Sequence, residues 1–303
     1  MNNFIKYSCL YIPVFLILLC IFGSFFITSN QTFHVGESLI IDKELSAQFG
    51  NLYGGLIGTL LSASSVFLLI YTIIHQKNEV QKNVLENHFF RMIDYHNQHL
   101  NHICIPHLKP ENGLVEGKRA FIQFKIQFKR ILDTTEIVLK KNSVPFSKKD
   151  LADISYIIFY YGIEGSWTDF IYKKFEKYNF INLSMINEIQ GELVKRGDGK
   201  FVRANQTYLS AYFRNMYNLI KMVDESNFLD QKEKENLIKI YRAQFSNAEL
   251  YIIFFNVISR FGRKWINNQY IEKYELLKNI PFEYCDGYNP KDFFNITYEE
   301  EEY

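Results

Sequence analysis

"NLYGGLIGTLLSASSVFLLIYTIIHQKNEVQKNVLENHFFRMIDYHNQHLNHI", Asn51–Ile103, joins an apolar and a polar helix pattern without a break. Its first part, Asn51–Ile74, carries no charge, and an apolar helix of about 20 residues crosses a bilayer core. From His75 onward the residues are polar, yet no Gly or Pro intervenes before Pro106. The span is therefore expected to continue as one helix to about residue 104, about 80 Å in all at ~1.5 Å per residue. Val80, Val84, Phe89 or Phe90, Ile93 and Leu100 recur along it as an apolar stripe that needs partners. This reading sets the fold class as all-α: membrane helices followed by a helical bundle.

A second uncharged run, "CLYIPVFLILLCIFGSFFI" (Cys9–Ile27), makes the first of two expected spans. A secretory signal peptide fits less well, because only Lys6 is basic, the run is too long, and no small-x-small cleavage site follows. Lys6 lies before the first span and Lys77, Lys82 and Arg91 follow the second, while the loop of residues 28–50 has Lys43 alone. That bias predicts both ends inside and the connecting loop outside. The expected division is a membrane anchor over 1–78, a cytoplasmic helical domain over 79–285, and an acidic tyrosine-rich tail over 286–303 ending in "TYEEEEY". In the second span, Gly54, Gly58 and Ser62 lie on one face with Gly55, Thr59 and Ala63 beside it. Small residues at this spacing allow close helix contact in lipid, against the first span or in a homo-oligomer.

The remainder is aromatic and poor in breakers: 49 Tyr and Phe against 15 Gly and 6 Pro, which favours long helices over turn-rich β architecture. A helix is expected over 115–141, with Phe121, Phe124, Phe128 and Ile131 inward and Lys118, Arg119, Lys125, Lys129 and Arg130 around them. Ser147 with Asp150 starts the next helix and Gly162 ends it. Shorter helices are expected at 166–178 and 183–195. In "NQTYLSAYFRNMYNLIKMVDES", Leu209, Phe213, Tyr217, Ile220 and Val223 share a face. "EKENLIKIYRAQF" continues as a further helix. Ser246 and Glu249 form a capping box before Leu250–Phe255, a run apolar on nearly every face and so the expected buried centre. "QYIEKYELLKNI" reads as the last packed helix, and the tail beyond Pro281 as mobile.

The last third resembles the phage abortive infection family of AbiC type. The resemblance rests on "YLSAYFRNMYNLIKMVDE", "YRAQFSNAELYIIFFNVIS" and "IEKYELLKNI". The matching positions are Tyr212, Phe213, Arg214, Tyr217, Arg242, Ala243, Gln244, Ser246, Glu249 and Asn256. The resemblance implies two N-terminal spans and a juxtamembrane helix with a Phe-Phe pair and a following His, here Phe89, Phe90 and His96. It implies a role in phage defence at the inner membrane of a bacterium, and no reaction. The family's Gly-His-Gln element reads "ANQ" here, with Asn205 in place of His.

Two candidate sites follow. Arg91 and His96 match the Arg-x4-His pattern of helical HEPN ribonucleases, in which Arg stabilises phosphate charge and His moves a proton. Met92 stands where a polar residue is usual, and the commoner role for His96 is packing within the bundle. Arg214, Arg242, Gln244 and Asn256 form a possible polar cluster lining a ligand pocket; alternatively Arg242 pairs with Glu235 or Glu249 and Gln244 bonds backbone at a helix junction. Metal is not expected, since His96, His99 and His102 at three-residue steps diverge around a helix. The four cysteines show neither zinc nor disulfide spacing, and nucleotide-loop and serine-hydrolase motifs are absent. No cofactor is expected. A net charge of +1 gives no global field for nucleic acid, so the expected partners are membrane lipid, a second copy of the chain and a phage-derived trigger.

Overall fold

In the computed structural model, residues 3–29, 43–109, 112–163, 168–197 and 201–302 are described. The chain divides into two units, Met1–Leu85 and Glu86–Tyr303.

The first unit holds α1 (Asn3–Ser29), α2 (Lys43–Leu52), a π-helical turn at Tyr53–Ile57, and the start of α3 (Gly58–Asn101). The stretch Tyr7–Phe25 and the helix from Tyr53 are long and apolar enough to cross a membrane. In the second, Thr59, Ser62, Ser64, Ser65 and Thr72 each donate to a carbonyl one turn back, so their hydroxyls are satisfied within the helix. Part of the expected loop over 28–50 is helical instead. Lys43 begins α2 with Glu44 in the first turn, where a carboxylate meets the positive end of the helix dipole; residues 30–42 lie outside the described set. Gly54 and Gly55 sit in the π turn, and a Cβ added at either meets nothing within 4 Å. Val80 and Val84, expected in a partnered stripe, are exposed.

The second unit begins where α3 becomes buried, at Phe89, Ile93, His96 and Leu100. A short antiparallel hairpin follows, β1 (Cys104–Pro106) against β2 (Leu114–Glu116), where the sequence suggested only a loop. The helices are α4 (Lys118–Lys141), α5 (Lys148–Tyr161), α6 (Thr168–Lys174), α7 (Leu183–Gly197), α8 (Gln206–Asp224), α9 (Gln231–Arg242), α10 (Asn247–Ile258), α11 (Arg263–Asn267) and α12 (Tyr270–Lys273). The expected caps at Ser147 and Ser246 are both reciprocal boxes, and Asp230 with Glu233 makes a third at α9. Gly162 ends α5 with φ at 74°.

α10 is the centre. It packs against α4, α5 and α11, and every residue from Ala248 to Ile258 is buried. Phe128 of α4 sits at the core of the ring lattice, 4.5 Å from Phe255, 5.5 Å from Phe159, 5.9 Å from Tyr156 and 6.0 Å from Tyr251 between centroids. Edge-on and tilted contacts of this kind add to the burial of the rings themselves. Asn205, the position that departs from the family's His, is a buried lock. Its amide donates to Gln127 Oε1 at 3.1 Å and to the Phe159 carbonyl at 2.8 Å, tying α8's start to α4 and α5.

Two C-terminal expectations change. The helix over "QYIEKYELLKNI" lasts only from Tyr270 to Lys273, because Gln269 and Glu275 take positive φ and the chain turns. The segment after Cys285 packs instead of trailing: Tyr288, Phe294, Ile296 and Tyr298 are buried, and Tyr288 Oη donates to the Lys148 carbonyl at 3.0 Å. Its apolar and aromatic residues cover the bundle, and the glutamates stay at the edge, where Lys291 pairs with Glu301.

Gly262 closes the turn from α10 to α11, and a Cβ there would lie 1.9 Å from the Val257 carbonyl oxygen. Gly191 in α7 has nothing within 4 Å of such an atom. Gly262→Ala is therefore expected to lower stability by about 3 kcal/mol or more. Gly191→Ala should raise it by about 0.5–1 kcal/mol through helix propensity. Thermal denaturation of the two variants checks the contrast.

Candidate functional site

Helix α3 delivers His96 into a cage whose other walls come from the last third of the chain. The imidazole is 2% exposed. Its ring centroid lies 4.5 Å from Tyr212 on α8, 5.4 Å from Tyr241 on α9 and 6.4 Å from Phe245 in the α9–α10 connection. Both ring nitrogens and the Tyr241 hydroxyl are buried without a hydrogen-bond partner among the described residues. Burial, then the charges of His99 and Lys118, push the His96 pKa down from 6.5 to about 4, so the ring is neutral at physiological pH. Tyr212 Oη donates to Glu249 Oε1 at 3.1 Å, and Glu249 Oε2 accepts from the Ser246 amide at 2.8 Å. Burial raises the pKa of Tyr212 and of Tyr241 well above the ordinary tyrosine value, so both hydroxyls stay protonated.

Around the cage, polar groups fasten the same elements together. Asn97 Nδ2 donates to Gln244 Oε1 at 3.0 Å, and Lys118 Nζ donates to the Gln244 carbonyl at 2.6 Å. Gln244 thus joins α3, α4 and the α9–α10 connection. Arg242 is buried and caps the broken end of α12, with Nη1 donating to the Tyr274 and Glu275 carbonyls at 3.3 and 3.0 Å and to Glu275 Oε2 at 3.3 Å. Its carboxylate partner is Glu275, neither Glu235 nor Glu249.

The structure does not bring Arg91 and His96 to one surface. Arg91 is exposed on α3 and His96 is enclosed, as five residues of helix turn them well apart. His99 is half-buried, and His102 is exposed with Nδ1 2.6 Å from the Gln98 carbonyl. Among the described residues no three His, Cys, Asp or Glu side chains gather as a metal site.

The cluster of Arg214, Arg242, Gln244 and Asn256 divides in two. Arg242 and Gln244 fasten the helix junction as above. Arg214 and Asn256 line one cleft of about 440 Å³ between α8, α10 and the turn into α11. Arg214 is exposed, with Nε donating to the Ser210 carbonyl at 3.2 Å. Asn256 is 3% exposed and its Nδ2 donates to Tyr156 Oη at 2.9 Å. The sequence reading missed Tyr241 and Phe245 in the cage, and Tyr160, Phe261, Lys264 and Trp265 in the cleft. "RFGRKW", Arg260–Trp265, does carry a readable signal: aromatic and basic residues alternate there directly after a buried helix.

The cage makes a sharp forecast. His96→Phe fills the same space without two unpaired nitrogens, so its Tm should equal or exceed that of the wild type. His96→Ala leaves a cavity and should cost about 2–4 kcal/mol. As pH falls from 6.5 towards 4, unfolded His96 takes up a proton that the folded ring refuses. Stability should therefore be complete above pH 6.5 and decline below it, by about 3 kcal/mol from this residue. Denaturant unfolding across that range should show a shallower decline for His96→Phe; parallel pH profiles would count against a buried neutral His96.

No curated protein and no solved structure matches this chain. Residues 204–285 do match a family model, described as putative phage abortive infection protein. That segment holds Tyr212, Tyr241, Phe245 and Glu249 of the cage together with Arg214, Asn256 and Trp265 of the cleft. It is similar to the very family that its motifs resemble, from the residues before α8 to Cys285.

Proposed function

We propose that this is a bacterial antiphage defence protein of the abortive-infection type, anchored in the inner membrane by two spans with the second unit in the cytoplasm. The match over 204–285 supports a phage-defence role. The observation that carries the finer reading is the seat of His96: the helix that follows the second apolar stretch is gripped by the matched segment through Tyr212, Tyr241 and Phe245.

In this reading the matched segment senses a phage-derived state and α3 relays it. α8 presents Tyr212 to the cage and Arg214 to the cleft, two residues apart. α10 does the same with Glu249 and Asn256, seven residues or two helical turns apart, about 10 Å along one face. A shift of either helix on occupation of the cleft would change the packing of His96. The apolar spans then anchor the protein or carry the toxic step, with the small-residue face around Gly54 and Gly58 available to a second copy. His96 acts by packing in this scheme and transfers no proton, since a ring with pKa about 4 and no hydrogen-bond partner is poorly placed to take one up or pass it on.

Phage plating on cells expressing the wild type, a chain lacking residues 1–78, and His96→Phe tests the reading. Wild type should lower plaque counts for part of a broad phage panel, the truncated chain should not, and His96→Phe should keep protection. No protection by the wild type against any phage would sink the defence role. Loss of protection in a His96→Phe protein that folds and inserts would transfer His96 from packing to chemistry.

A further inference from the structure

The cleft holding Arg214 and Asn256 combines two features. One wall is aromatic: Phe213, Tyr217, Phe261 and Trp265 line it together with Tyr160. Tyr160 and Phe261 stand 4.6 Å apart and Tyr217 and Trp265 5.4 Å apart, so the lining rings are packed in pairs. The other feature is charge. Arg214, Lys221 and Lys264 line the cleft, and no acidic residue among the described residues does. Among the described residues Arg214 bonds only a backbone carbonyl, by its Nε, which leaves its terminal nitrogens for an anion, and Lys264 Nζ lies 5.9 Å from the Tyr217 ring. Lys221 reaches Glu225 at 3.6 Å on the exposed helix side, a weak surface pair.

We infer that this cleft is a nucleotide-binding site, in which the aromatic wall takes a base and the Arg214–Lys264 side takes phosphate. Bases stack on aromatic side chains without regard to sequence, and a guanidinium binds phosphate oxygens in its planar fork. Ser210, Asn218 and Asn256 add the hydroxyl and amide groups that read a base edge. The volume, about 440 Å³, suits one small ligand and not a folded chain. A second cleft of about 310 Å³ near Lys149, Lys177 and Arg263 is less suited to an anion, because Asp150 and Asp153 also line it and Asp153 already holds Arg260 at 2.8 Å. The inference goes beyond the defence reading, and its test needs no phage.

Binding of ATP and GTP to the full-length chain in detergent or nanodiscs, by equilibrium dialysis or calorimetry, decides it. At least one of the two should bind saturably, with adenosine, guanosine and inorganic tripolyphosphate about tenfold weaker or worse. Arg214→Gln combined with Lys264→Gln should weaken the nucleotide about tenfold or more, while Lys232→Gln on the exposed face of α9 should leave it unchanged. Both cleft positions are exposed, so melting temperature should not move; if the pair disturbs folding, Lys264→Gln alone serves the same comparison. Absence of saturable binding up to about 1 mM of either nucleotide, binding as tight for tripolyphosphate as for nucleotide, or full affinity in the double variant each overturns the site.

Discussion

α10 has no solvent face, and that single constraint organises the second unit. Eleven consecutive residues from Ala248 to Ile258 are buried, so the helix must be enclosed on every side before its burial is complete. Their apolar area supplies much of the drive to collapse, at about 25 cal/mol per Å². Phe128, Phe159 and Tyr156 close one side, and the C-terminal turns close another, with Phe254 5.7 Å from Phe293 and Phe255 5.1 Å from Tyr288. A mobile tail would leave that second side open to water. The packing of Tyr288 to Tyr298 follows from the same need.

A helix buried so fully tolerates polar residues only where each has a partner. Glu249 and Asn256 illustrate this, one held by Tyr212 and Ser246, the other by Tyr156. They also mark the two places where the bundle does more than pack. Glu249 stands beside the cage around His96, and Asn256 opens on the cleft. His96 and Tyr241 in the cage depart from the rule, since neither imidazole nitrogen nor the Tyr241 hydroxyl is bonded among the described residues. A buried imidazole in this condition costs stability, and the cost is lessened by remaining neutral and by aromatic contact on three sides.

Much of the fold was legible because caps and periodicity are local. Ser147, Asp150, Ser246, Glu249 and Gly162 specify helix ends through bonds spanning three or four residues, and the structure uses them at those positions. Phe121, Phe124, Phe128 and Ile131 are buried as their spacing requires. What failed was equally physical. A helix pattern over residues 269–280 could not reveal that Glu275 adopts positive φ and that Arg242, 33 residues earlier, caps the break. The four residues of the candidate polar cluster separate for a related reason: Arg214, Arg242 and Asn256 lie on helices whose azimuths the sequence leaves free, and Gln244 lies in the connection after α9. Only Arg214 and Asn256 turn towards one cleft.

The sequence by itself determined two apolar helices, a helical second unit and a resemblance to abortive infection proteins, because composition, period and motif are carried by neighbouring residues. Tertiary structure alone decided that Tyr212, Tyr241 and Phe245 are what encloses His96, and that Gln244 meets Asn97 across 147 positions of chain. Helical period tells which face of a segment seeks cover. Which segment supplies that cover depends on the simultaneous packing of all the helices around α10, and that is where cage and cleft arise.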